Sequence, residues 1–123
     1  MKYLVVDDSR MARKMLIRVL NKHIDEKDEV LQAENGAQAV EIYIDHEPDL
    51  VFMDLTMPVM DGFEAVLQIK TFDENAKILA VSADIQQGAI DKVIQNGALK
   101  FIQKPIDSTK MNEIFEEFVA VEV

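Results

Sequence analysis

The stretch FMDLTMPVMDG, residues 52–62, determines how the rest of this 123-residue chain is interpreted. Asp54 directly follows the apolar run LVFM at residues 50–53, and a proline and an Asp-Gly pair come soon after it. Acidic side chains seldom lie at the edge of a core without a partner. We therefore expect Asp54 to meet other polar groups at the end of a buried strand.

Short apolar runs alternate with segments of helical periodicity along the whole chain. The apolar runs are continuous, which is typical of strands that helices cover on both faces, and they lie at 3–6, 30–33, 50–53, 78–81 and 99–102. The predicted helices that follow them lie at 9–22, 36–46, 62–70, 86–95 and 108–119. This alternation predicts an α/β fold, a doubly wound five-stranded parallel sheet with helices on both faces.

Composition narrows the class of protein. The chain has the length of one domain, and the absence of cysteine excludes disulfides and thiolate metal sites. No stretch is long and apolar enough to span a membrane, and no signal peptide precedes the first predicted strand, so we expect a cytoplasmic protein without membrane insertion. The net charge of −10 argues against a nucleic-acid partner, which would require a basic surface.

Basic residues are concentrated in the first predicted helix. They are Arg10, Arg13, Lys14, Arg18 and Lys22. Such a pattern usually indicates a solvated helix face. The alternative is a docking surface for an acidic partner, and the sequence leaves both interpretations open.

Polar residues follow the predicted strands at one edge of the sheet, where open parallel sheets bind ligands. They are Asp7, Asp8, Asp54, Ser82 and Lys104. Two carboxylates about 4 Å apart repel by roughly 4 kcal/mol at an effective dielectric constant of 20, so a cation is needed there. Oxygen ligands favour a hard ion such as Mg²⁺, and an aspartate beside it can act as a nucleophile. Taken singly, the acidic pair and Ser82 also suit helix caps, and Lys104 suits an exposed surface.

Five motifs together resemble one family. They are VVDDSRMARKML at 5–16, ENGAQAVE at 34–41, DLVFMDLTMPVMDGFE at 49–64, AVSADI at 80–85 and NGALKFIQKPID at 96–107. In these motifs the chain resembles the receiver domain of two-component response regulators, most of all the stand-alone CheY-like chemotaxis type. The resemblance covers essentially the whole chain and implies one receiver domain at 1–123, with a flavodoxin-like strand order of 2-1-3-4-5.

The resemblance also implies roles for individual residues. Asp54 would be the phosphoacceptor, and it would bind Mg²⁺ directly with Asp8 and the backbone carbonyl of Thr56, while Asp7 would act mainly through a water. Lys104 would pair with a phosphoryl oxygen and form a cis peptide with Pro105. The remaining roles would fall to Ser82, whose hydroxyl closes on the phosphoryl group, to Ala83, which leaves room for that group, and to Phe101, whose rotamer follows the switch.

Partners and kinetics follow from the same resemblance. A histidine kinase or histidine phosphotransfer domain would donate the phosphoryl group, and the protein would also catalyse its own dephosphorylation. Thr56 and Asp84 would flank the attacking water and tune the lifetime of the phosphoryl group, with a sign that the sequence leaves open. An output protein would bind at residues 86–119, and the resemblance to the chemotaxis type implies a role in chemotaxis.

The sequence leaves three alternatives open, two of function and one of domain organisation. A Mg²⁺-dependent phosphohydrolase of small molecules would also use aspartates at strand ends, but it would need a substrate pocket or a cap insertion. An interaction module without phosphorylation would be favoured by loss of the acidic pair, Asp54 or Lys104, all of which are present. The chain would also fit a receiver excised from a longer regulator.

Overall fold

The computed structural model describes residues 1–84 and 86–119 and shows five parallel strands in the order β2-β1-β3-β4-β5. The strands are β1 Lys2–Val6, β2 Glu29–Ala33, β3 Leu50–Asp54, β4 Ile78–Ser82 and β5 Lys100–Gln103. The helices are α1 Arg10–Asn21, α2 Gly36–His46, α3 Gly62–Phe72, α4 Gln87–Gln95 and α5 Ser108–Ile114. The predicted fold and strand order are confirmed. Of the predicted domain 1–123, residues 85 and 120–123 lie outside the described residues.

Two hydrophobic clusters cover the two faces of the sheet. Alternate strand residues such as Leu4 and Met53 pack with α2, α3 and α4 on one face. Their neighbours, such as Val5 and Phe52, pack with α1 and α5 on the other face. Since every residue of β3 is buried, the continuous apolar run that the sequence showed is explained by burial from both sides.

Polar side chains cap the N-termini of four of the helices. The side chains of Ser9, Asn35, Asp61 and Asp107 accept hydrogen bonds from backbone N–H groups in the first turns of α1, α2, α3 and α5, which are otherwise unpaired. No helix in the described part of the chain is long and apolar enough to cross a membrane.

The last predicted helix differs in its second half. Instead of one α-helix over 108–119, α5 ends at Ile114 and continues as a π-helical turn, Phe115–Val119. In this wider turn Phe115, Phe118 and Val119 pack against the same core cluster, and the ring of Phe115 stacks on that of Tyr3 at 5.9 Å between centroids. Packing of the aromatic rings therefore accompanies the change in helical period.

Candidate functional site

Asp54 ends β3 in a largely buried position. The residue is 7% exposed, and its Oδ1 accepts a hydrogen bond from the N–H of Leu55 at 3.0 Å. The chain then loops back, so that the Gly62 N–H donates to the carbonyl of Leu55 at 3.0 Å. A Cβ at Gly62 would lie 2.1 Å from the Asp54 carbonyl oxygen, and only glycine fits there. The loop is thus packed directly against the backbone that carries Asp54.

The acidic pair follows β1 on the neighbouring strand. Asp7 is buried, its N–H donates to the carbonyl of Ala33 at 3.1 Å, and its Oδ1 accepts from the N–H of Ser9 at 2.9 Å. Asp8 is exposed. Because Ser9 caps α1 through its own hydroxyl, neither aspartate is needed for that purpose.

The structure brings four of the predicted site residues together. Asp7, Asp8 and Asp54 each offer a carboxylate oxygen, and these oxygens lie within 4.8 Å of one another. The Nζ of Lys104 lies 2.6 Å from Asp7 Oδ2 and 3.4 Å from Asp54 Oδ1. The predicted convergence at the carboxyl edge of the sheet is therefore present in the geometry.

Burial and charge compete at this cluster. Burial and the nearby charge of Asp7 raise the pKa of Asp54 from 3.8 to about 6, although Lys104 and the Leu55 N–H oppose that rise. Burial lowers the pKa of Lys104, but contacts with Asp7 and Asp54 outweigh it and keep that pKa above its ordinary value. Lys104 therefore stays charged, and Asp54 is mainly ionised above about pH 6.

The donor set fits a hard divalent cation. Three carboxylates face a single lysine ammonium, so the cluster keeps an excess of negative charge. All of these ligands are oxygens, the type that Mg²⁺ prefers. Thr56, the other predicted ligand, is exposed two residues beyond Asp54.

The remaining predicted residues lie on or beside β4 and β5. Ser82 is buried at the end of β4, and its Oγ accepts from the Asp84 N–H at 3.1 Å. Asp84 is exposed, as is Ala83. Phe101 is half-buried inside β5, opposite Ala80 and away from the strand end, and it packs against the core. The Lys104–Pro105 peptide is cis, as predicted.

The sequence did not predict the roles of two residues that support the loops of the site. Arg13, grouped there with the other basic residues of α1, donates from Nη1 to the Asp7 carbonyl at 2.7 Å and from Nε to Gln32 at 3.0 Å. Gly36 donates its N–H to the Met60 carbonyl at 2.9 Å, and a Cβ there would lie 2.4 Å from the same oxygen. Only the Asn-Gly pair at the start of α2 could have drawn attention to Gly36, and no signal distinguished Arg13.

Comparison with known protein families shows which family contains this chain. The family described as response regulator receiver domain matches residues 3–116. The chain belongs to this family. The predicted receiver domain and its place in two-component signalling are thereby confirmed.

Individual relatives agree with the family match. The chain is 46% identical to the chemotaxis protein CheY of Bacillus subtilis over 112 residues, which cover 91% of this chain and 92% of the relative. The solved CheX–CheY–BeF3–Mg complex of Borrelia burgdorferi matches with a TM-score of 0.84 and 32% identity, over 97% of this chain and 90% of that one. The solved Saccharomyces cerevisiae complex of the histidine phosphotransfer signaling protein Ypd1 with the receiver domain of Ssk1 also matches. Its TM-score is 0.84 and its sequence identity is 28%, over 96% of this chain and 88% of that one.

Membership in this family indicates the general role of the site. A CheY-like receiver is the phosphoacceptor domain of a response regulator, and histidine kinases and phosphotransfer proteins are among the partners of such domains. Receiver domains bind Mg²⁺ in an acidic pocket, and Asp7, Asp8 and Asp54 form such an acidic cluster here.

Proposed function

We propose that Asp54 accepts a phosphoryl group from a histidine kinase or histidine phosphotransfer domain, and that the domain at 1–123 signals through the resulting change of shape. The observation that carries this proposal is the convergence of Asp7, Asp8 and Asp54 within 4.8 Å, with the Lys104 ammonium in contact with two of them. A nucleophilic carboxylate is thus held beside a fixed positive charge and further acidic ligands.

The transfer uses the Asp54 carboxylate as nucleophile. One of its oxygens forms a bond to phosphorus while the phosphorus–nitrogen bond to the donor histidine breaks, and the electron pair of that bond leaves with the imidazole. Because its pKa is about 6, Asp54 is largely ionised at neutral pH and available for attack. Lys104 offsets the negative charge that the phosphoryl oxygens bring to the site.

Mg²⁺ would be held by Asp8, Asp54 and the backbone carbonyl of Thr56, with Asp7 acting mainly through a water. When bound, the ion supplies positive charge that neutralises phosphoryl oxygens. Asp7 also holds the ammonium of Lys104 at 2.6 Å, so it orients the second positive group of the site.

Ser82 and Phe101 would couple the site to output. The Oγ of Ser82 accepts the Asp84 N–H, which leaves its own hydroxyl proton free to be donated to a phosphoryl oxygen. Movement of Ser82 toward that oxygen would draw the β4–α4 loop and give Phe101 space to turn inward.

The affected surface, residues 86–119, carries exposed Glu113, Glu116 and Glu117 near its end, so we expect a basic or apolar output partner. The CheY relatives suggest that this output serves chemotaxis.

The phosphohydrolase alternative finds no support in the geometry. Within residues 1–84 and 86–119, the longest connections between elements are 22–28 and 55–61, and neither holds a cap over the site. We therefore do not propose it as a second function.

The proposed function is tested by phosphoryl transfer to the purified chain. Incubation with a panel of histidine kinases and ATP, or with phosphoramidate, should add one phosphoryl group when Mg²⁺ is present and none when EDTA removes it. Intact-protein mass spectrometry measures the product, and loss of the added mass in mild base identifies an acyl phosphate. Absence of the product with every donor, or equal yield in EDTA, would contradict the proposal.

Thr56 and Asp84 should control how long the phosphoryl group persists. Both side chains are exposed beyond the strand ends that carry Asp54 and Ser82, where a water would approach. Replacing Asp84 with alanine removes an acceptor that can orient this water, so we expect the decay half-life to lengthen by about tenfold, or about 1.36 kcal/mol in barrier height. Replacing Thr56 with lysine should also change the half-life.

The decay is followed by mass spectrometry after the donor is removed. Asp45→Ala, which changes an exposed acidic residue of α2, serves as the control and should keep the wild-type half-life. The phosphorylation rate should change much less than the decay rate. A half-life that both site variants leave at the wild-type value would exclude the assigned role.

A further inference from the structure

Lys110 makes an unusual contact with the loop that carries Lys104. From the first turn of α5, its Nζ donates to the carbonyl of Gln103 at 2.7 Å and to that of Pro105 at 3.2 Å. These carbonyls belong to the residues immediately before and after Lys104 in the chain. One ammonium group therefore joins the two sides of the loop.

The position of Lys110 is unfavourable for a lysine that has no such contact. The first turn of a helix is the positive end of its dipole, where an acidic residue is preferred, and α5 has none there. Within residues 1–84 and 86–119, Lys110 forms no ion pair with a carboxylate. Its ammonium instead contacts the two loop carbonyls, while the nearby Asp107 carboxylate caps the helix by accepting the Lys110 backbone N–H at 2.9 Å.

Lys104 is consequently fixed from two directions. On the side of the sheet, its backbone N–H donates to the carbonyl of Ser82 at 2.9 Å. Because β5 is an edge strand among the described residues, none of the five strands holds the loop from the other side, and Lys110 makes the contact there. The Lys104 side chain then spans from this anchored backbone to Asp7 and Asp54.

We propose that Lys110 is a positioning residue for phosphoryl transfer, which acts by holding the backbone of Lys104 so that its ammonium stays aimed at Asp7 and Asp54. The inference rests on the proposed function, because it assumes that Lys104 assists the transfer to Asp54. A small displacement of a charged group from its productive position is enough to slow such a reaction substantially.

The test compares Lys110→Met, Lys110→Arg and the control Lys100→Met. Lys100 is an exposed lysine of β5 that pairs with Glu117 at 3.0 Å, so its replacement changes the charge equally without touching the loop carbonyls. With phosphoramidate and Mg²⁺, Lys110→Met should lower the phosphorylation rate constant about tenfold. Lys110→Arg, which keeps donors for the carbonyls, should recover most of the rate, and Lys100→Met should stay within about twofold of wild type.

A double-mutant cycle separates positioning from a general effect on folding. If Lys110 acts through Lys104, Lys110→Met should cause no further loss in a Lys104→Ala background. Thermal unfolding of each variant confirms that the proteins compared are folded. A rate for Lys110→Met equal to that of Lys100→Met, an equal loss in Lys110→Arg, or additive losses in the double variant would each overturn the inference. Failure of the wild-type chain to become phosphorylated would instead reject the proposed function itself.

Discussion

Replacement of Asp54 by asparagine should abolish phosphorylation of this protein. The asparagine side chain has nearly the same shape, and its Oδ1 can still accept the Leu55 N–H at the end of β3. An amide, however, is neutral and lacks the nucleophilic carboxylate oxygen that must form the bond to phosphorus. With a histidine kinase or phosphoramidate and Mg²⁺, the variant should show no phosphoryl adduct by intact-protein mass spectrometry under conditions that fully modify the wild type.

A matched control is available seven residues further along the same loop. Asp61 is exposed and caps α3 by accepting the Glu64 N–H at 2.9 Å. Asparagine caps helices as well as aspartate does, so Asp61→Asn removes the same charge with little effect on structure. This control should be phosphorylated like the wild type. Equal labelling of the Asp54→Asn protein would show that the phosphoryl group is attached elsewhere.

The sequence predicted those parts of the site that depend on topology. Asp7, Asp8 and Lys104 follow strands and Asp54 ends one. Parallel strands bring such positions to one edge irrespective of side-chain detail. Continuous apolar runs marked the strands because both faces of the sheet are covered. Pattern and connectivity were therefore sufficient for the parallel α/β class and for the acidic cluster, whereas the strand order was predicted from the family resemblance.

The supporting contacts could not be predicted in the same way. Arg13 and Lys110 reach backbone carbonyls, and every residue carries a carbonyl, so no partner residue type marks such a contact in the sequence. The close approach of Gly36 to Met60 depends on how two loops meet, which hydrophobic periodicity does not encode. The π-helical turn after Ile114 likewise depends on tertiary packing of Phe115, since its sequence remains compatible with an α-helix.

The same Asp54→Asn substitution should stabilise the metal-free protein at alkaline pH. In the folded state the pKa of Asp54 is about 6, whereas an unfolded aspartate has its ordinary value of 3.8. The folded protein therefore binds this proton more tightly than the unfolded chain, and ionisation of Asp54 lowers the free energy of unfolding as pH rises from about 4 to above 6. At about 1.36 kcal/mol for each pH unit between these values, the cost above pH 7 is about 3 kcal/mol.

Asparagine avoids this cost because it never ionises, so the difference between variant and wild type should depend on pH. Urea unfolding in EDTA should show a higher free energy of unfolding for Asp54→Asn at pH 8, by up to about 3 kcal/mol, and no gain at pH 4. Asp61→Asn, which removes an exposed charge, should follow the wild type at both pH values.

Mg²⁺ should stabilise the wild type more than Asp54→Asn and so reduce the difference at pH 8, because a ligand stabilises the state that binds it. A stability difference that stays constant from pH 4 to pH 8 would mean that burial of the Asp54 charge carries no energetic cost, and that the cluster of Asp7, Asp54 and Lys104 is already neutralised without a metal ion.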